Sequence, residues 1–146
     1  MAAIKTITSA NSVVSCRIVG LYDTPQILEG YAADDAFSTS DISPSEVLMG
    51  VDGKMSAGFT PYPTEQSYSF QADSRSIKIF DNWIKSMQST REIFWAYFEI
   101  TLPSTGLKYT LNKGSLTKGK PLPDAKKVLQ PVTYTITWES ITPSAV

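Results

Sequence analysis

The chain has 146 residues, 42% hydrophobic and 18% charged, with 13 Lys plus Arg against 14 Asp plus Glu. That balance excludes a disordered chain and a strongly basic nucleic-acid binder, and leaves one domain over residues 1–146 with a sizeable core. The absence of histidine and the single cysteine, Cys16, exclude His-dependent catalysis, an ordinary zinc site and an intramolecular disulfide.

No apolar run approaches the ~18 residues of a membrane span. The opening MAAIKTITSANS lacks both a basic start followed by an apolar core and a cleavage site, so a soluble chain made in a reducing compartment is expected. Few charges and many Ser and Thr suggest that some of the surface is covered by neighbours.

In chain order, residues 12–19 alternate and predict a strand with Val14, Cys16 and Ile18 facing inward, which makes Cys16 a plain buried thiol. A turn at Asp23-Thr24-Pro25 should lead to a second strand over 26–32. Residues 33–45, with Asp34, Asp35, Asp41 and Pro44, read as a loop. Asp52-Gly53, between 47–51 and 54–58, is a strong hairpin signal. Pro61 and Pro63 mark 59–65 as loop or edge, and Tyr68, Phe70 and Ala72 share the phase of the next strand.

Ile77, Phe80, Ile84 and Met87 then recur at helical spacing, with Lys78, Asp81, Asn82 and Lys85 opposite. Ile79 and Trp83 widen the apolar face, and Asp73 or Ser74 can cap the first turn. Residues 93–102 carry Phe94, Ala96, Phe98, Ile100 and Leu102 on one side, and Ile93, Trp95, Tyr97, Glu99 and Thr101 on the other. Being apolar on both sides through its first half, that strand should be buried on both sides there.

A turn at 103–106 leads to Leu107, Tyr109 and Leu111 in phase, and the basic loop LTKGKPLPDAKK follows. The last strand is the cleanest alternation: Val132, Tyr134, Ile136 and Trp138 on one face, Thr133, Thr135, Thr137 and Glu139 on the other. The expected fold is mainly β (α+β): an antiparallel β-sandwich or partly open barrel of about seven or eight strands with one amphipathic helix.

No motif carries catalytic, cofactor-binding or metal-binding chemistry, so the chain is read as no enzyme. Asp34 and Asp35 are sequence neighbours on an extended chain and point apart. Residues 114–119 (GSLTKG) lack the spacing of a phosphate loop. Lys113, Lys118, Lys120, Lys126 and Lys127 have no arginine or aromatic interleaved, which favours a loop meeting acidic groups on a neighbouring subunit over a nucleic-acid strip. The Trp95–Tyr97 side and the Thr133–Thr135–Thr137 face both need covering, which points to self-assembly into a closed oligomer.

The acidic loop leading to GVDGKMSAG, the run YSFQADSRSIKIFDNWIKSMQ and the ending GSLTKGKPLPDAKKVLQPVTYTITWESI resemble the tail tube proteins of contractile-tailed bacteriophages, over about residues 13–141. The resemblance implies hexameric rings whose sheets join into an inner barrel and stack into a hollow tube within a sheath. Baseplate and tail-terminator proteins would be further partners. DNA would pass through the bore without specific binding. The location implied is the virion tail, after synthesis in the host bacterial cytoplasm. Subunit contacts would fall on Trp95, Tyr97, Thr133, Thr135 and Thr137, and inter-ring contacts on Asp52, Gly53 and Lys54. An acidic lumen would draw on Glu29, Asp52, Glu99 and Glu139. Two alternatives are a type VI-like secreted tube subunit and a carbohydrate- or ligand-binding β-sandwich with Tyr62, Trp95 and Tyr97 as its platform.

Overall fold

Period-two alternation builds most of the molecule. In the computed structural model, which describes residues 12–29, 31, 37–103 and 105–145, nine strands and one helix follow one another. They are β1 (Val13–Ile18), β2 (Tyr22–Ile27), β3 (Phe37–Thr39), β4 (Ser45–Met49), β5 (Met55–Phe59), β6 (Thr64–Phe70), α1 (Ser76–Thr90), β7 (Ala96–Leu102), β8 (Leu107–Lys118) and β9 (Val132–Ala145). Seven strands form one sheet in the order β2-β1-β7-β8-β9-β6-β3, and β4 pairs only with β5. All named strand pairings are antiparallel.

The sheet curls. Three strand spacings of about 4.8 Å separate β6 from β7, so a flat sheet would hold them roughly 14 Å apart. Yet the rings of Tyr68 on β6 and Phe98 on β7 lie 5.7 Å apart across the interior. The result is a partly open barrel, as the alternation implied. Its inner face carries Val14, Cys16, Ile18, Ala96, Phe98, Tyr68, Phe70, Val132, Tyr134, Ile136 and Trp138, all buried.

Helix α1 lies against that inner face. Phe80 stacks on Tyr134 with centroids 4.7 Å apart, and the Trp83 indole N–H donates to the Phe94 carbonyl at 2.9 Å. The deepest line is therefore Ser76, Phe80 and Trp83, with Ile77, Ile84 and Met87 on its flanks. Trp83, read as widening the apolar stripe, lies at its centre. Ser74, one residue before the N-cap Arg75, accepts the first-turn N–H of Ser76 at 3.2 Å, while Arg75 itself makes no side-chain cap bond. Ser76 in turn accepts the backbone N–H of Glu29 at 2.7 Å, tying the helix start to the chain after β2.

Several local expectations change. The chain turns at Val19–Leu21, and Asp23, Thr24 and Pro25 lie inside β2; β2 ends the sheet, so proline costs no ladder bond there. A short strand, β3, occupies part of the stretch read as loop, and the β7 ladder starts at Ala96 instead of Ile93. Asp34 and Asp35 lie outside the described residues. In β8 the phase changes at Lys113, whose φ of 49° lets Leu111, Gly114 and Leu116 all be buried.

Candidate functional site

The outer, convex face of the sheet collects most of the residues singled out from sequence. Inward alternation of Ala96, Phe98 and Ile100 turns Tyr97 and Glu99 outward, and that of Val132 to Trp138 turns Thr133, Thr135, Thr137 and Glu139 outward. Trp95, just before β7, is 41% exposed, and Ile93 52%. Within one chain this side of the strand is therefore not buried, contrary to the expectation of burial on both sides. Each aromatic instead carries a cation from a neighbouring strand: Lys113 Nζ lies 5.0 Å from the Trp95 ring centre, and the Arg17 guanidinium 5.1 Å from that of Tyr97.

The threonine row of β9 belongs to a ladder of hydroxyls. Thr133 meets Ser69 at 3.0 Å, Thr135 meets Ser67 at 3.1 Å, and Thr137 meets Thr117 at 3.2 Å. Thr117 Oγ1 also lies 3.2 Å from the Thr135 carbonyl, its alternative acceptor. Ser67, Ser69 and Thr117 went unremarked in the sequence, although Ser67 and Ser69 sit out of phase with Gln66, Tyr68 and Phe70. The consequence is a neutral polar surface whose hydroxyls are largely engaged with one another.

The acidic candidates are not gathered together. Glu99 lies 3.5 Å from Lys108, and Glu139 3.7 Å from Lys113, both on the outer face. Glu29 lies beside the helix start, 3.9 Å from Arg75. Asp52 accepts the Lys54 N–H at 3.1 Å inside the β4–β5 turn, where Gly53 adopts φ +82°.

That hairpin is the most exposed element. Every residue of β4 and β5 is exposed, among them Val47, Leu48, Met49, Met55 and Phe59. The register sets Val47 opposite Ala57, Met49 opposite Met55 and Ser45 opposite Phe59. Cross-strand partners share a side, so Val47, Met49, Met55, Ala57 and Phe59 make one apolar face. At its root a groove of about 1040 Å³ runs between Thr39–Ile42, Phe59–Thr64 and Glu139–Ile141. Tyr62 lies there against Phe59 with ring centres 6.3 Å apart, while Trp95 and Tyr97 carry their cations, so no three-ring platform is assembled. Among the described residues no group of three or more His, Cys, Asp or Glu could hold a metal ion, and no helix is long and apolar enough to cross a membrane.

The fold recurs in contractile injection systems. A chain in the cryo-EM structure of an extracellular contractile injection system, the PVC sheath/tube terminator in its extended state, matches with a TM-score of 0.66 at 14% identity, covering 99% of this chain and all 100% of that one. A chain of the PVC sheath-tube complex in its extended state gives 0.66 at 15% identity over 97% of this chain and 93% of that one. A chain of the six-fold symmetrised baseplate of the anti-feeding prophage gives 0.62 at 11% identity over 100% and 99%. No curated protein matches by sequence. The model of the family described as "Tail fiber protein gp32" matches residues 5–142, nearly the whole chain, and the protein therefore belongs to that family.

Proposed function

We propose that the chain is a non-enzymatic structural subunit of a contractile tail tube. Copies close into hexameric rings, the rings stack into a hollow tube inside a sheath, and DNA passes through the bore. Sheath, baseplate and tail-terminator proteins are its further partners, and the virion tail its location after synthesis in the bacterial cytoplasm.

One observation carries the reading: the molecule is incomplete as a single chain. A lone two-stranded hairpin is marginal in water, and β4–β5 keeps an apolar face that stays exposed among the described residues. The seven-stranded sheet also ends in two edges, β2 and β3. Both features suit a subunit finished by copies of itself. The family's description names a tail fiber, whereas chains of this fold occur in a sheath-tube complex and a sheath/tube terminator, and the fold favours the tube.

In this assembly Trp95, Tyr97, Thr133, Thr135 and Thr137 supply subunit contacts, and Asp52, Gly53 and Lys54 lead the inter-ring contact. Glu29, Asp52, Glu99 and Glu139 remain the pool for an acidic lumen. Lys108 and Lys113 beside Glu99 and Glu139 leave that surface closer to neutral than the carboxylates alone would. A neutral or weakly acidic lining gives the phosphate backbone no cationic foothold.

Negative-stain microscopy of the purified chain is the test. Rings with a central hole, alone or in stacks, are expected. A monomer at every concentration, with saccharide-dependent melting, would replace this reading with the ligand-binding one.

A further inference from the structure

We infer that rings stack head to tail, with the β4–β5 hairpin of one copy seated on the basic loop between β8 and β9 of a second copy. The inference rests on the tube reading above and names the surface that receives the hairpin.

The two features stand at opposite ends of the same strand pair. Thr64 pairs with Trp138 at one end of β6–β9, and Phe70 pairs with Val132 at the other. The hairpin joins β6 just before Thr64. The loop over residues 119–131 joins β9 just before Val132. Seven residues of β6 separate these poles by roughly 20 Å at about 3.3 Å per residue. A contact between them therefore cannot form within one chain, but a translated copy makes it at once.

Their charges are opposite in sign. Over residues 37–65 the hairpin pole holds Asp41, Glu46, Asp52 and Glu65 against Lys54 alone, a net −3. Over residues 118–131 the loop pole holds Lys118, Lys120, Lys126 and Lys127 against Asp124 alone, a net +3. Asp124 is taken by Lys120 at 2.7 Å, and Lys126 and Lys127 form no ion pair with a carboxylate among the described residues. The chain's near-neutral total thus conceals a polar molecule suited to head-to-tail association.

Apolar surface matches as well. Leu122, Val128 and Leu129 are 73%, 72% and 55% exposed on the loop. Val128, Leu129 and Pro131 line a groove of about 520 Å³ with Gln71, Ala72 and Asp73. The loop is held in shape by an Ala125–Leu129 bridge and a Gln130 N–H to Asp124 carbonyl bond of 2.9 Å. At the other pole Val51 is fully exposed at the hairpin tip, beside Met49 and Met55. A nucleic acid would use the lysines but leave these apolar side chains wet, which is why a second copy is the favoured occupant.

A charge swap tests this. One variant carries Lys126→Glu and Lys127→Glu; the other carries Asp41→Lys and Glu46→Lys, leaving the Asp52 turn intact. Each alone should form rings yet stack at least tenfold less than the parent, by sedimentation and microscopy, and mixing the two sets of preformed rings should restore stacks. Parent stacks should shorten between 0.1 and 1 M salt, since the Debye length falls from about 10 Å to about 3 Å. Normal stacking by either variant alone, loss of rings in the loop variant, no recovery on mixing, or salt-indifferent stacks would each overturn the inference while parent rings leave the tube reading standing. Absence of rings in the parent would remove both. Retardation of DNA by the parent, abolished in the loop variant with stacking unchanged, would assign the lysines to nucleic acid instead.

Discussion

Gly114 lies directly beneath the indole of Trp138, its partner across β8 and β9. A Cβ at position 114 would sit 2.3 Å from Trp138 Cε3 and 2.4 Å from Cζ3. Trp138 is fully buried and packs edge-on against Phe98 at 4.9 Å, so the indole has nowhere to retreat. Gly114→Ala should therefore destabilise the fold by about 1–3 kcal/mol, the usual cost of overpacking a core. Denaturant unfolding of both proteins measures it, and an unchanged midpoint would refute the contact.

This pairing also marks where the sequence stopped being legible. The alternation of β9 is regular, so Val132, Tyr134, Ile136 and Trp138 are buried as their spacing implied. In β8 the period breaks at Lys113, whose positive φ no pattern of residue types announces. Beyond Leu111 the inward phase therefore passes to Gly114 and Leu116, and a glycine gives hydropathy nothing to read. The Asp52-Gly53 turn was legible because only a few residues suit its backbone. The cations over Trp95 and Tyr97 were not, because they come from other strands and depend on tertiary register. Ser67 and Ser69 were readable in principle, since they alternate with Gln66, Tyr68 and Phe70.

Gln66 is a buried polar residue with a defined task. Its Oε1 accepts the Tyr68 hydroxyl at 2.6 Å and the Trp138 indole N–H at 3.0 Å. Gln66→Leu would leave two buried donors without that acceptor, at about 1–3 kcal/mol for each unsatisfied group. Adding Tyr68→Phe removes one of those donors and should recover part of the loss. A double-mutant cycle by denaturant unfolding reads the coupling, and strict additivity would deny the Tyr68–Gln66 bond.

Alkaline pH should weaken the fold from within. Burial pushes the Cys16 thiol up to about 12 from 9.0. Burial also raises the Tyr31, Tyr68 and Tyr134 hydroxyls, with neighbouring Asp81 adding to the effect at Tyr134. A raised folded pKa means that the unfolded chain ionises first. The Cys16 contribution to stability is thus complete below about pH 9 and is lost as pH climbs towards 12. Melting temperature should fall across that range, with a shallower fall for Cys16→Ala. At pH 8 a thiol reagent should label Cys16 only in denaturant, and labelling of the folded chain at the rate of a free thiol would contradict the burial.

Trp95 and Tyr97 offer a way to separate assembly from folding. Both lie on the outer face, and each already has a cation from its own chain above its ring, Lys113 and Arg17. Trp95→Glu or Tyr97→Glu therefore exchanges a cation–aromatic contact for an ion pair with the same partner. An exposed exchange of that kind should shift stability by only about 0.5–1 kcal/mol. At a subunit interface the consequence differs, because a large apolar contact is replaced by a carboxylate that must lose its water. Rings should give way to a folded monomer with near-parent melting, read by sedimentation velocity and circular dichroism. Intact rings in both variants would move the subunit contact off this end of the sheet and onto the hydroxyl ladder of Thr133, Thr135 and Thr137. Charged substitutions on that ladder would then be the ones to dissociate the ring.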